Sequence, residues 1–573
     1  MNKTDRVVVG LLVAALIAWS FMGRQLVPEP EIVPDPDVAP VVIPERPLDP
    51  AVIARDVTPA VVTPEDVDEW EELPEPVLVT LSNAVFEVAF TSHGGAIASI
   101  ALFEYAAGVD RRDEPVVLDF AGMPALRYGG LPGFARTPLF RMEPSEDGSG
   151  IVMTSETEVL RLVRHISLTD GYEIAVRDVL SNLGDAAVVL EGQTLHPGPM
   201  ELQEAGPGMR GMSYLGVDFL PVDGGRVVHT GRSIRGYFGV RGGCGSPDLR
   251  HVPLVATERF EDPVVWAAVK NKFFVQIVEP DSGVAALVIE AERGGGDAFV
   301  VSSVGAVLAL PVRELAAGEE IETSIQYYAG PKKYTLLRQT GNQRADVMEF
   351  GRFFKWICQI LLPLLNGIEH VIPGGYGVAV ILLTIIVKLL FWPVTHKGTE
   401  SMKRMQALQP ELKKLREKYK SDPKKMQEKQ MLLYREHKVN PLAGCIPMVI
   451  QIPVFIGLFT VLRSAVELRF ARFLWIADLS EPEGLLAGVL PFPAGGLNIL
   501  PLLMTATMVL QQRLTPSAGD PQQQKMMAFM PIMMLFIFYN MPSGLVLYWS
   551  VSQGLSIVQL YLQRQRDAAK VAA

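Results

Sequence analysis

The chain is 573 residues long, too long for one domain, and it combines a formal net charge of −11 with a mean hydropathy of +0.23, high for a water-soluble protein. The charge averages unlike parts, with acids crowded into the first third and lysines near residue 420, so no global affinity for nucleic acid follows. Cys244, Cys358 and Cys445 are isolated and odd in number, without CxxC or metal-ligand spacing, which argues against a disulfide framework and a cysteine metal site.

Residues 1–24 hold the apolar run Val7–Phe21 behind Lys3 and Arg6, which reads as a signal peptide or an uncleaved membrane anchor. Trp19 and Phe21 stand where a cleavage site wants small residues, which favours the anchor, with its basic N-terminus cytoplasmic. Residues 25–76 are rich in Pro, Val, Asp and Glu, and Pro28, Pro30, Pro34, Pro36, Pro40 and Pro44 impose an extended habit. At about 3.1 Å per residue this tether spans on the order of 100 Å.

Residues 77–330 show short alternating or β-branched runs such as VLVTL (77–81), FEVAF (86–90), EIAVRDVL (173–180) and SIQYYAG (324–330), separated by glycine-rich turns. The spacing predicts a large antiparallel β-sandwich. His165 and His196 are the histidines a hydrolase or sugar epimerase would use, yet neither sits in a nucleophile or metal motif. They read as strand or loop residues. RGGCGSPD (241–248) reads as a turn, since no helix follows to cradle a phosphate.

Residues 331–375 contain an amphipathic segment, Asp346–His370, in which Phe350, Phe353, Phe354, Ile357, Ile360, Leu361 and Leu364 recur at helical spacing. Such a helix lies flat in a membrane interface. Pro373, Gly374 and Gly375 then turn the chain into residues 376–395, YGVAVILLTIIVKLLFWPVT, of the length a membrane span needs. Lys388 is its single charge, attached roughly 10 Å inside the end of the span, where insertion costs up to about 3 kcal/mol. Thr384, Lys388 and Thr395 make a polar stripe on one face. Two readings stand at this point: a lysine snorkelling to the headgroups, or a hydrated cationic recess inside the membrane.

Residues 396–440 are strongly basic, and Ser421 or Asp422 with Pro423 restarts a helix, so a cytoplasmic helical hairpin is expected. Its Lys413, Lys414, Arg416 and Lys418 form either a solvated face near anionic lipid or a docking surface. Apolar regions at 441–466, 497–514, 526–541 and 543–563 complete five spans after the β domain and six in all, with 467–496 external and 515–525 and the tail 564–573 cytoplasmic. Both termini are then inside. Ser552, Ser556 and Gln559 share a face of the last span, Gln451 sits inside another, and no intramembrane carboxylate is available to neutralise Lys388. Span 526–541 is methionine-rich, which suits a surface accepting many partners, and Ile450, Phe455, Met530 and Met534 are the expected apolar sliding positions.

The runs QPELKKLREKYK (409–420), KVNPLAGCIPMVIQIPVFIGLF (438–459), DPQQQKMMAFMPIMM (520–534) and MPSGLVLYWSVS (541–552) resemble the bacterial YidC membrane protein insertase family, closely over residues 346–565. Through WAAVKNKFF (266–274) the region 77–330 resembles that family's periplasmic β-supersandwich more weakly. The resemblance implies a polytopic α-helical inner-membrane protein with a large periplasmic all-β domain, a groove open to cytoplasm and lipid, and no cofactor. It implies nascent membrane proteins as clients, the Sec translocon and the ribosome as partners, and insertase and chaperone work without enzyme chemistry. Thr384 and Tyr548 fall at positions the family associates with client contact, Trp549 where a second aromatic is common, and Lys388 where Gram-negative members usually carry arginine. Lysine keeps the charge and loses the planar fork. Two other classes remain on the residues alone. A transporter or channel with a periplasmic sensing domain needs paired intramembrane charges and repeated halves, which the sequence lacks. A tethered carbohydrate-active enzyme rests only on the β region.

Overall fold

The computed structural model describes residues 74–572 apart from 121, 146–149, 203–213, 232, 239–251, 295–299, 352, 420–421, 438, 440–445, 486–495 and 515–520. The expected anchor and nearly all of the tether lie outside the described residues. The described chain forms two compact units, one ending at Glu349 and the other beginning at Phe350.

In the first unit, strands β1 (Leu78–Ser82) to β21 (Glu320–Pro331) pair antiparallel throughout, as the alternating apolar pattern predicts. A nine-stranded sheet runs in the order β14 (Val228–His229), β13 (Gly216–Pro221), β16 (Val264–Lys270), β17 (Phe274–Pro280), β21, β9 (Glu173–Asn182), β8 (Leu160–Leu168), β7 (Gly150–Glu156) and β6 (Arg141–Pro144). A second sheet runs β15 (Val255–Phe260), β18 (Ala286–Arg293), β19 (Val301–Ala309), β11 (Thr194–His196) and β5 (Arg127–Gly129), with β12 (Met200–Glu201) beside β19. A four-stranded sheet of β1, β2 (Phe86–Thr91), β3 (Ala96–Ala106) and β4 (Pro115–Asp119) and the pair β10 (Val188–Leu190) and β20 (Arg313–Leu315) complete the unit. Strand β17 (Phe274–Pro280), FVQIVEP, is apolar almost without alternation because it is covered on both faces. On one face Gln276 donates to Pro199 O at 3.0 Å and Tyr327 to Pro197 O at 3.1 Å, tying the large sheet to the β11–β12 connection of the second. The other face is covered by the C-terminal strap of the unit: α2 (Tyr334–Gln339), the second helix after the short α1 (Ile234–Tyr237), and a 3₁₀ turn at Arg344–Met348.

The strap is held by buried polar side chains, all on the strap-facing register of the sheet. Trp266 Nε1 donates to Asn342 O at 2.8 Å, and Arg344, 1% exposed, reaches Glu173, Glu279 and Gln326. Lys270 pairs with Asp218 and with Glu349 and donates to Val347 O at 3.1 Å. Asn342, Gln343 and Glu349 hold left-handed φ values of 44°, 55° and 51°, a conformation that costs non-glycine residues of order 1–3 kcal/mol each and persists where neighbours over-determine it. On the opposite face Arg164 and Asp178 form a fully buried bidentate pair at 2.8 and 2.9 Å, and Arg164 also donates to the carbonyls of Gly95 and Leu126.

The second unit is helical: α3 (Lys355–Val371), α4 (Gly375–Ala407), α5 (Gln409–Lys418), α6 (Pro423–Glu436), α7 (Ile446–Ser464), α8 (Ile499–Leu514), α9 (Pro521–Phe538) and α10 (Ser543–Ala572). The amphipathic α3 buries Ile357, Cys358, Leu361, Leu362 and Leu365 and leaves Ile360 and Leu364 exposed. It approaches α7 closely at Gly457, where an added Cβ would stand 2.6 Å from Ile357. Asp422 caps α6 by accepting from the Lys425 N–H, with Pro423 at the first helical position, and Leu408, Leu412, Tyr434 and Val439 close the α5–α6 hairpin.

Two boundaries differ from the expected ones. Helix α4 does not stop at Thr395 but runs on to Ala407 through Pro393, since an internal proline removes one hydrogen bond and helix-favouring residues succeed it. Helix α10 likewise absorbs the expected tail to Ala572. Among the described residues two stretches are long and apolar enough to cross a bilayer, Gly375–His396 and Ser543–Arg566, while Gln451–Ser464 and Ala528–Phe538 are shorter. Length and composition therefore confirm two of the six expected spans among the described residues, the first of the six lying outside them.

Two expected outcomes concern the first unit. Arg164→Met strands the Asp178 carboxylate and two carbonyls in the core, and costs about 3–5 kcal/mol in denaturant unfolding followed by tryptophan fluorescence. Burial raises the Glu349 carboxyl, but the Lys270 charge and hydrogen bond outweigh it and hold the group at about 2 against an ordinary 4.5. A depressed carboxylate stabilises the fold above its unfolded pKa and loses that contribution as pH falls toward its folded one. The stability advantage of the wild type over Glu349→Gln is accordingly full at pH 6 and shrinks between pH 4.5 and about 2, read as the difference in unfolding midpoint.

Candidate functional site

The polar residues singled out in the helices come together along α10. Positions 548, 552, 556 and 559 advance by four, four and three residues, a spacing that keeps them on one helical face. That face packs on α4 and α7. Lys388 Nζ on α4 donates to Ser556 Oγ at 2.9 Å, and the Ser556 hydroxyl in turn donates to Ser552 O at 2.9 Å. Further along both helices, Gln559 Nε2 meets Thr395 Oγ1 at 3.5 Å. Gln451 on α7 donates its amide to the Tyr548 hydroxyl.

The Lys388 ammonium is directed across to a hydroxyl on a neighbouring helix, and it makes no ion pair with an acid among the described residues. Thr384, completely buried, is not part of the seam in this structure: its hydroxyl donates back to Val380 O at 2.6 Å within α4. Tyr548 is 1% exposed and Ser552 and Gln559 are buried, whereas Gln451, Lys388 and Ser556 are half-buried.

Beside the seam lies an aromatic cluster. Phe455 meets Trp549 edge-on with ring centres 5.1 Å apart, Phe538 packs on both at 5.8 and 5.2 Å, and Phe459 stacks on Phe455 at 6.4 Å. The Trp549 indole N–H is buried without a hydrogen-bond partner among the described residues. The expected sliding surface is distributed differently. Met530 and Met534 are half-buried, and the exposed apolar face of α9 is instead Phe529, Ile532, Met533, Phe536 and Ile537. Helix faces turn by 100° per residue, so positions one residue apart in the sequence part company. The side chains of Ile450 and Arg416 lie outside the described residues; Lys413, Lys414 and Lys418 are exposed on α5.

One residue escaped the sequence reading. Gln563 continues the seam, four residues beyond Gln559, and is 7% exposed. The unbroken 4-4-3-4 spacing was the available signal; Gln563 is the last residue of the expected span 543–563, beside the expected cytoplasmic tail. In the β unit, His165 and His196 fall in different sheets, on β8 (Leu160–Leu168) and β11 (Thr194–His196), so they do not form a paired imidazole site. Burial, then the charge of Arg127, pushes His196 down to about 4, so it is neutral at ordinary pH.

Residues 367–570 match the family model described as 60Kd inner membrane protein, and residues 247–364 match the YidC periplasmic domain. The chain is similar to the membrane protein insertase YidC of Pelobacter propionicus, 34% identical over 501 residues that cover 85% of this chain and 86% of that one. It is 42% identical over 308 residues to the insertase of Syntrophobacter fumaroxidans, covering 52% of this chain and about half, 53%, of that relative. A crystal structure of an active YidC insertase aligns over 86% of this chain and 93% of its own at 18% identity, with a TM-score of 0.34. With two adjoining family matches and a relative similar over most of both lengths, this chain belongs to the YidC family of membrane protein insertases.

Proposed function

We propose that this insertase works through a hydrated groove between α4, α7 and α10, in which Lys388 receives the polar tail of a nascent membrane protein. The observation that carries the reading is the Lys388 ammonium, placed within an apolar span, hydrogen-bonded to Ser556 and without an acidic partner among the described residues. An intramembrane cation of this kind is expensive, and such groups mark pathways for charged or polar cargo. Tyr548, Gln451, Ser552 and Gln559 extend the polar lining, and Trp549 and Phe455 border it with an apolar wall along which the client's hydrophobic segment reaches lipid.

An acidic tail is drawn toward Lys388 and is then helped outward by the membrane potential, worth about 2.3 kcal/mol per charge per 100 mV. No nucleotide or covalent step enters the scheme. In this reading all of α4, α7, α8, α9 and α10 span the membrane, α7 and α9 being short where the bilayer is locally thin, and an N-terminal anchor makes six. The β unit is then periplasmic and both termini cytoplasmic. The exposed Lys413, Lys414 and Lys418 of the hairpin are the surface offered to the ribosome or to anionic lipid, and the Sec translocon is the partner for larger clients.

The test is insertion of a small single-span client with an acidic tail into proteoliposomes. Lys388→Arg keeps the charge and retains insertion; Lys388→Glu lowers the rate about tenfold, the effect of losing roughly 1.4 kcal/mol of attraction. Unchanged insertion with Lys388→Glu removes the charge from the mechanism.

A further inference from the structure

The polar seam of α10 ends on Gln563, and its amide is unlike the others. Lys388, Ser556, Gln559, Thr395, Gln451 and Tyr548 all find partners within the protein. Gln563 does not: both its Nε2 and its Oε1 are buried, with no hydrogen-bond partner among the described residues. A buried amide left unsatisfied carries the desolvation penalty of its donor and its acceptor, and a ligand that presents a complementary donor and acceptor relieves it.

We infer that Gln563 is a docking point for the main chain of an extended client segment entering the groove, an inference that rests on the groove reading above. The chemistry is specific to a carboxamide. It presents one C=O acceptor and N–H donors in a plane, the same complement as a peptide unit, so it can accept from one backbone N–H and donate to a neighbouring C=O. Those groups are the same in every client, whatever its side chains. Lys388 then senses the charge of a tail, while Gln563, seven residues further along α10 than its partner Ser556, grips any tail. The division suits a protein that handles many sequences: one contact reads composition, the other does not.

The experiment uses the full chain in proteoliposomes and two single-span clients that differ only in an acidic or a neutral polar tail. Gln563→Met, similar in length and without hydrogen-bonding groups, slows insertion of both clients by about the same factor, roughly fivefold, while its thermal unfolding temperature stays level or rises. Gln563→Asn, which keeps the carboxamide, recovers at least half of the lost rate. Lys388→Ala slows the acidic-tailed client alone. Four results overturn the inference: no loss of rate in Gln563→Met, a loss confined to the acidic tail, a fall in unfolding temperature that accounts for the loss, or no recovery in Gln563→Asn. If Lys388→Ala fails to discriminate between the tails, the groove reading itself is wrong; if it discriminates and Gln563→Met is silent, only the inference about Gln563 falls.

Discussion

A single ammonium inside an apolar helix constrains everything around it. Lys388 needs a polar neighbour and has no acidic one among the described residues, and Ser556 supplies it from α10 at 2.9 Å. That contact brings α10 against α4 on its polar face, which in turn directs the opposite faces, with Leu389 and Leu390 at 61% and 69% exposure, outward. Neutralising the charge with a resident acid would be simpler for stability. The absence of an acidic partner among the described residues is what the proposed role, attraction of a passing acidic tail, requires.

In the β unit, ion pairs are used in the opposite sense. Arg164 with Asp178, Arg344 with Glu279 and Glu173, and Lys270 with Asp218 and Glu349 are each paired, with every cation buried and the Arg164–Asp178 pair buried on both sides. Such pairs contribute less to net stability than to uniqueness, because removing one partner is far more damaging than never having had the pair. Two of these cations, Lys270 from a strand and Arg344 from the strap itself, select one way for the strap to lie and sustain left-handed φ values that the backbone alone would not hold.

The alternating runs of residues 77–330 identified an antiparallel sandwich because period-two patterning survives wherever one face is buried. The same rule fails for β17, whose burial on both faces leaves FVQIVEP without a period-two apolar pattern. The hairpin between α5 and α6 was legible from Asp422 and Pro423, whose capping chemistry is local. The end of α4 was not, since whether a helix survives Pro393 depends on the tertiary packing of the residues beyond it. Among site residues, the i, i+4 seam gave Ser552, Ser556 and Gln559, but Thr384 turned its hydroxyl to its own backbone, a choice between two partners that sequence spacing does not decide. Met530 and Met534 were named as sliding positions from the methionine-rich composition of the span, and composition does not say which face of α9 a residue occupies.

The length of the seam has a consequence of its own. From Tyr548 to Gln563 it covers fifteen residues of α10, a rise of about 22 Å, whereas an extended strand advances about 3.3 Å per residue. On the proposed groove reading, about seven residues of a threaded polypeptide would lie alongside it at once. Such a groove would act as a ruler: segments shorter than that would leave part of it wet, and longer hydrophilic segments would have to be handed on before they were fully accommodated.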